Sequence, residues 1–326
     1  MVKLASEAEK QVKRATRAAY GVTLAELAAE GLPVVAVDAD LTGSTTTKKF
    51  AEADPAYADR LFNCGIAEQN MIDVAAGLAI TGHIAFTGSF AVFGTGRAYD
   101  QIRNTVAYSK LNVKVAPTHA GISVGPDGGS HQMLEDISLM RGLPGMRVLV
   151  PADYAAARAA IRAAATTDGP VYVRMGRASV PAVYADGVEL QIGHAYTLRE
   201  GADATIVACG VEVEQAMNAA ETLADEGIEA EVIDAFSVKP LDEEAIVASV
   251  AKTGCAVVAE EHSIYGGLGS AVAETLARRN PAPVEFVGVQ DRFGKSGEFE
   301  ELLGYFHLDA AAIVEAVKKA IARKAI

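Results

Sequence analysis

His119 and His131 stand twelve residues apart, framing the glycine-rich stretch THAGISVGPDGGSHQ (118–132), with Asp127 between them. Imidazole and carboxyl groups are the side chains that carry protons in catalysis. Two histidines at that spacing without further ligands make a poor metal site, and each could equally bond loop backbone. Glu68, in GIAEQN (65–70), is another candidate acid. A solvated acid in a helix's first turn is also favoured by the helix dipole, so the residue alone does not decide. Phe90 and Phe93 of GSFAVF (88–93) are three apart. Taken alone, such a pair reads as a helix's core face.

Three other patterns carry less than they suggest. GISVG (121–125) matches the nucleophile-elbow pattern, but that turn needs a helix directly after its serine, and Pro126, Asp127, Gly128 and Gly129 follow instead. GVQDRFGKS (288–296) has five residues between its glycines, and Val289 stands where a phosphate loop needs glycine; it reads as a structural loop. GGLGSAVAETLA (266–277) is a glycine turn opening a helix, without the full dinucleotide fingerprint.

These residues need a scaffold. The chain has 326 residues, enough for about two domains. Half of it is hydrophobic, and with no Trp and only ten Tyr and ten Phe, aliphatic side chains and alanine must build the core. A net charge of −13 argues against a nucleic-acid or anionic-membrane binder, while leaving room for a small basic pocket. Cys64, Cys209 and Cys255 are scattered, with no C-x-x-C, as in a reducing cytoplasm. No apolar run approaches the roughly 20 residues of a bilayer span, and MVKLASEAEKQVKRATRAAYG (1–21) does not resemble a signal peptide.

The hydrophobic pattern predicts an α/β fold of two domains, each a mostly parallel sheet flanked by helices. A helix is expected over Leu4–Glu30, opened by the capping box Ser6-x-x-Glu9. Strands are expected at 33–38, 60–62, 83–88, 112–117, 146–151 and 170–175, with helices at 65–80 and 152–165 among them. After a linker at 181–196, a second series follows at 204–210, 229–235, 255–261 and 283–289, with a last helix from about Leu308 to the end. The expected domains are therefore 1–180 and 197–326. In open parallel sheets ligands bind beyond the carboxyl ends of the strands. Five polar or glycine-rich loops follow strands of the first domain, at 38–49, 62–70, 87–97, 118–132 and 174–181. They mark that edge as the candidate site.

Together and in order, GIAEQN (65–70), GSFAVF (88–93), THAGISVGPDGGSHQ (118–132) and GRASVP (176–181) resemble the pyrimidine-binding domain of the transketolase family. EEHSIYGGLGSAVAETLA (260–277) resembles that family's C-terminal domain. The resemblance spans nearly the whole chain. It implies thiamine diphosphate as cofactor and ketol transfer between sugars or sugar phosphates as the reaction. The GDG segment and downstream Asn that hold Mg2+ and the diphosphate in full-length members are missing. The expected molecule is thus the C-terminal subunit of a split transketolase in an α2β2 assembly, with Mg2+ bound mainly by a separate N-terminal, diphosphate-binding subunit.

By the same resemblance, Glu68 is the carboxyl set against the aminopyrimidine N1′. Phe90 and Phe93 form the ring wall, in which a further aromatic of the family is replaced by Gly96, and Asp40 lies near the cofactor. His119 and His131 bond the sugar donor and handle its hydroxyl protons, Asp127 reads a donor hydroxyl, and Arg17, Ser44 and Arg177 hold its phosphate. Rival readings are a 1-deoxyxylulose-5-phosphate synthase, which shares GIAEQ and AYDQ (98–101), the beta subunit of a 2-oxo-acid dehydrogenase's decarboxylating component, and a non-catalytic partner that kept the fold.

Overall fold

The computed structural model describes residues 2–324. Seven strands form the first sheet, in the order Ser237–Lys239, Arg147–Leu149, Val171–Val173, Val113–Val115, Ile84–Gly88, Val34–Asp38 and Leu61–Asn63. All pair in parallel except Ser237–Lys239, which runs antiparallel along the edge. VVAVD and IAFTG are buried along their whole length, as parallel strands covered by helices on both faces must be. The second sheet orders Val284–Val289, Ala256–Ser263, Ala204–Ala208, Ala230–Asp234 and Tyr196–Arg199, with only the last antiparallel. The fold is α/β with two mostly parallel sheets flanked by helices, as expected.

Alanine lets helices lie close on these sheets. Tyr154–Ala165 buries Ala156, Ala157, Ala160 and Ala164 completely. Its cap, Asp153, accepts from Ala156 N at 2.7 Å. On the outer face, Arg158 and Arg162 pair with Glu26 of the Tyr20–Ala29 helix, and Arg162 also with Glu30, which caps that helix. The last helix, Ala310–Arg323, is capped by Asp309; its expected run to the end includes 325–326, outside the described residues. One hydrophobic cluster extends from Ala19 to Ala320, so the two sheets share a continuous core.

The long N-terminal helix is corrected. The capping box forms and opens Glu7–Lys10, but Arg14–Ala15 then pairs antiparallel with Ser179–Val180, and Thr16–Ala19 is a 3-10 turn. Gly176 N donates to Thr16 Oγ1 at 2.7 Å, and Arg17 N donates to Gly176 O. These long-range bonds satisfy the backbone that a helix would have used, so tertiary pairing overrides the helical periodicity. The break also turns Arg17 toward the carboxyl edge of the sheet. A second difference is the Ser237–Lys239 strand. Its three residues are too short to declare a period, and it carries the second half of the chain onto the first sheet's edge.

Candidate active site

Glu68 is the first residue of the Glu68–Ile80 helix and only 2% exposed. The helix starts there rather than at 65 because Gly65 adopts φ +69° and Ala67 is still non-helical. Arg97 Nη1 donates to Glu68 Oε2 at 2.9 Å, from a side chain half in solvent. Its guanidinium also lies 4.6 Å from the Phe93 ring centroid, a cation–π distance. Arg97 ends a π-helical segment, Val92–Arg97. Such wide turns occur mostly as local bulges, often at functional sites. Arg97 belongs to the rim loop 87–97, but the sequence singled it out for no role.

The two phenylalanines do not point into the general core. Phe90 stacks on His119 with centroids 3.7 Å apart, and Phe93 meets His131 edge-on at 5.4 Å. The rings also lie 6.3 Å from each other, nearly parallel. Gly96, where the further aromatic was missing, faces Met133.

His119 is buried and holds a positive φ of +60°, a sparsely populated conformation for a non-glycine residue. Its Nδ1 lies 2.7 Å from Thr118 Oγ1, and its Nε2 3.2 Å from Arg17 Nη1. A guanidinium can only donate, so Nε2 accepts and Nδ1 carries the proton. Burial first, then the charges of Arg17, Arg177 and His131, push the His119 pKa down to about 3. The imidazole is neutral at physiological pH and presents an acceptor. His131, half-buried, lies 2.9 Å from Ser130 Oγ through Nδ1.

Arg17 Nη1 also donates to the Ser44 carbonyl at 2.8 Å, so Ser44 enters this cluster through its backbone. Burial and the neighbouring Arg177 lower the Arg17 pKa, while Asp127 opposes them. Arg17, Arg177 and Asp127 therefore share one electrostatic field. Arg177 Nη1 is anchored on Val124 O at 2.6 Å. Asp40 turns elsewhere: it exchanges hydrogen bonds with Asn63 through its amide (3.1 Å) and carboxylate (3.2 Å). Its neighbour Asp38 is the structural acid of that loop, taking Leu41 N, Thr45 Oγ1 and Thr47 Oγ1; burial raises its pKa. Contacts thus run without a gap from Glu68 through Arg97, Phe93, His131, Phe90 and His119 to Arg17.

Behind this surface lies a buried seam that the sequence did not announce. Three consecutive residues near the end of the Ala256–Ser263 strand each seize backbone. Glu260 accepts from Leu268 N and Gly269 N at 2.7 and 2.8 Å. Glu261 accepts from Ser123 N in the first domain's loop. His262 Nε2 accepts from Ser138 N at 3.4 Å. Arg174 joins them, donating to Asp136 Oδ2 at 2.7 Å and to Glu261 O at 2.9 Å. Burial raises the Glu261 pKa to about 7. A run of acids at a strand end was the available signal, but only the second sheet's placement reveals their targets.

The weak motifs resolve as expected. Ser123 is buried, and its hydroxyl donates to Ala120 O in a kinked 3-10 turn, so no nucleophile elbow forms. The 290–297 segment is a loop that closes over the histidine-bearing loop: Gln132 Nε2 donates to Lys295 O at 2.9 Å. No helix of the described residues is long and apolar enough to cross a membrane. Among the described residues no group of three or more His, Cys, Asp or Glu side chains could hold a metal ion. The buried carboxylate beside an available ring face fits the pyrimidine end of a thiamine cofactor.

Residues 12–182 match the family model for the transketolase pyrimidine-binding domain, and 193–313 match the transketolase C-terminal domain. A Methanocaldococcus jannaschii protein named for a transketolase C-terminal section is 47% identical over 97% of this chain and 98% of its own length. A 6-deoxy-6-sulfo-D-fructose transketolase subunit of Clostridium sp. is 44% identical over 94% of this chain and 95% of its own. The solved structure of a split-gene transketolase, an inactive β4 tetramer, superposes with a TM-score of 0.87 at 49% identity, covering 96% of this chain and 100% of that one.

Proposed function

The chain belongs to the transketolase family, and from that premise we propose that it is the C-terminal subunit of a split, thiamine diphosphate-dependent transketolase. It moves a two-carbon ketol unit from a ketose or its phosphate to an aldose or its phosphate. A separate N-terminal subunit grips the diphosphate and Mg2+, and the two chains form an α2β2 enzyme of the cytoplasm. The division into 1–180 and 197–326 joined by 181–196 is part of the same reading.

When bound, thiamine diphosphate supplies the nucleophilic carbon that takes up the ketol unit. Glu68 would hold a proton against the pyrimidine ring nitrogen, and Phe93 with Phe90 would pack against that ring and keep water out. His119, neutral and accepting at Nε2, and His131 pass protons to and from the sugar hydroxyls. Asp127 reads one hydroxyl, and Arg17, Arg177 and Ser44 hold the anionic end. Asp40 borders the cofactor. The continuous contact run from Glu68 to Arg17 carries this reading, because it joins the proton handle to the anion-binding arginines along one rim.

The test is reconstitution. Alone, with thiamine diphosphate and Mg2+, the chain transfers no ketol unit; with its diphosphate-binding partner it does. Strong activity of the chain by itself overturns the split-subunit reading. Pyruvate-dependent condensation insensitive to His119→Ala moves the assignment to a 1-deoxyxylulose-5-phosphate synthase.

A further inference from the structure

We propose that Glu261, which lies in the second domain, is the positioning residue of the histidine-bearing loop. It holds the backbone at Ser123, and through it sets where His119 and His131 stand. The inference rests on reading 118–132 as the sugar-facing loop.

The loop is closed on itself at its base, since Gly121 N donates to Met133 O at 2.9 Å. A single anchor at 121–123 therefore fixes both ends, with one histidine two residues before Gly121 and the other two before Met133. Glu261 is that anchor: its Oε1 accepts from Ser123 N. The fit leaves no room for a side chain. A Cβ on Gly121 would stand 2.2 Å from the Glu261 carboxyl carbon, and Gly121 holds φ +76°, a region open to glycine.

The anchor is itself fixed from three sides. Glu260 ties the strand to the Leu268–Arg279 helix, His262 takes Ser138 N, and Arg174 bonds the Glu261 carbonyl. The ionisable groups facing the Glu261 carboxyl are Arg174 and Asp136 from the first domain and Glu212 at the start of a second-domain helix, while His262 lies 3.7 Å from the neighbouring Glu260 carboxyl. A carboxyl in such a place is costly to bury, and the amide it holds lies in the other domain. Its contribution is to orientation.

The experiment compares Glu261→Ala, Glu261→Gln and Gly121→Ala. Hydrogen exchange is measured on the whole chain, and kinetics on the enzyme assembled with its partner. In Glu261→Ala, exchange in peptides covering 118–133 rises about tenfold while the Ala204–Ala208 strand is unchanged. In the assembled enzyme, kcat/KM for the donor ketose falls roughly 10–100-fold, and thiamine diphosphate affinity measured by calorimetry is retained. Glu261→Gln recovers most of the protection, because its amide oxygen still accepts from Ser123 N. Gly121→Ala reproduces the loss, and combining it with Glu261→Ala adds little, as expected for two residues in contact. Unchanged loop exchange in Glu261→Ala overturns the proposal. So does a loss that spreads equally to the control strand and to cofactor affinity, or strict additivity with Gly121→Ala. If the wild-type assembly transfers no ketol unit, the proposed function falls, and the exchange measurements alone decide on Glu261.

Discussion

Glu68 and Asp136 are both buried acids that open helices of the first domain, and both pair with arginine. Glu68 has one partner, Arg97, whose side chain is 50% exposed. Asp136 takes Tyr172 and two nitrogens of Arg174, and Arg174 is only 5% exposed. At the seam the donors described above, Arg174 and the amides held by Glu260, Glu261 and His262, are committed to protein and tie the second sheet to the first domain. At the rim the acid, Phe93 and His131, none of them as fully committed, leave capacity that a ligand can use, while Phe90 backs them, stacked on His119. The same residue types build rigidity in one place and receptivity in the other, and the number of internal partners separates the two.

The largest expected effect tests the seam. Arg174→Met leaves Asp136 buried beside Glu261 without its counter-charge and lowers stability by about 3–5 kcal/mol, read from the urea midpoint. A loss no greater than that of the rim arginine would break the distinction.

Stability against pH should separate the regions next. The folded state raises the Glu261 pKa from 4.5 to about 7, so it keeps a proton that the unfolded chain sheds. Stability from this group is full below 4.5 and falls as pH climbs to about 7. The effect is on the order of 3 kcal/mol, by the conversion of pKa shift to free energy. His119 has the opposite sign. Its contribution is full above 6.5 and is lost as pH falls toward about 3. Denaturation series between pH 4 and 8 should show Glu261→Gln reducing the decline toward neutral pH, to which buried Asp234 and Glu212 also contribute, and His119→Asn reducing the acid limb. Identical pH profiles for both variants and wild type would contradict the assignments.

Smaller changes sharpen the rim. Phe93→Leu keeps the volume apolar but loses the ring face, and should weaken thiamine diphosphate binding in the assembled enzyme by about 1 kcal/mol, roughly fivefold. Arg97→Met should change the stability of the chain by less than about 1 kcal/mol, since its pair with Glu68 is reached from solvent.

The parallel strands of both sheets were legible because strands buried on two faces write continuous apolar runs, as VVAVD and IAFTG do; the antiparallel edge strands Ser237–Lys239 and Tyr196–Arg199 were not. The rim was legible too, since loops at the carboxyl ends of parallel strands must share an edge. Arg17 was placed in the sequence on a helix that does not form: its position depends on Gly176, far along the chain, and local periodicity cannot encode such a partner. Arg97 and Glu261 escaped for the same reason. An arginine in a loop and an acid at a strand end carry no period, and their roles arise only when Glu68 and Ser123 are brought opposite them.

The proposed mechanism requires Glu68 as the proton handle of the site. The most direct measurement is the rate at which the thiazolium C2 proton of thiamine diphosphate exchanges with deuterium in the assembled enzyme, for wild type, Glu68→Gln and Glu68→Ala. Both variants should assemble and bind the cofactor, yet exchange about 10²–10⁴-fold more slowly, the range for a lost acid–base group. Wild-type exchange in an assembled, cofactor-loaded Glu68→Ala enzyme would contradict it.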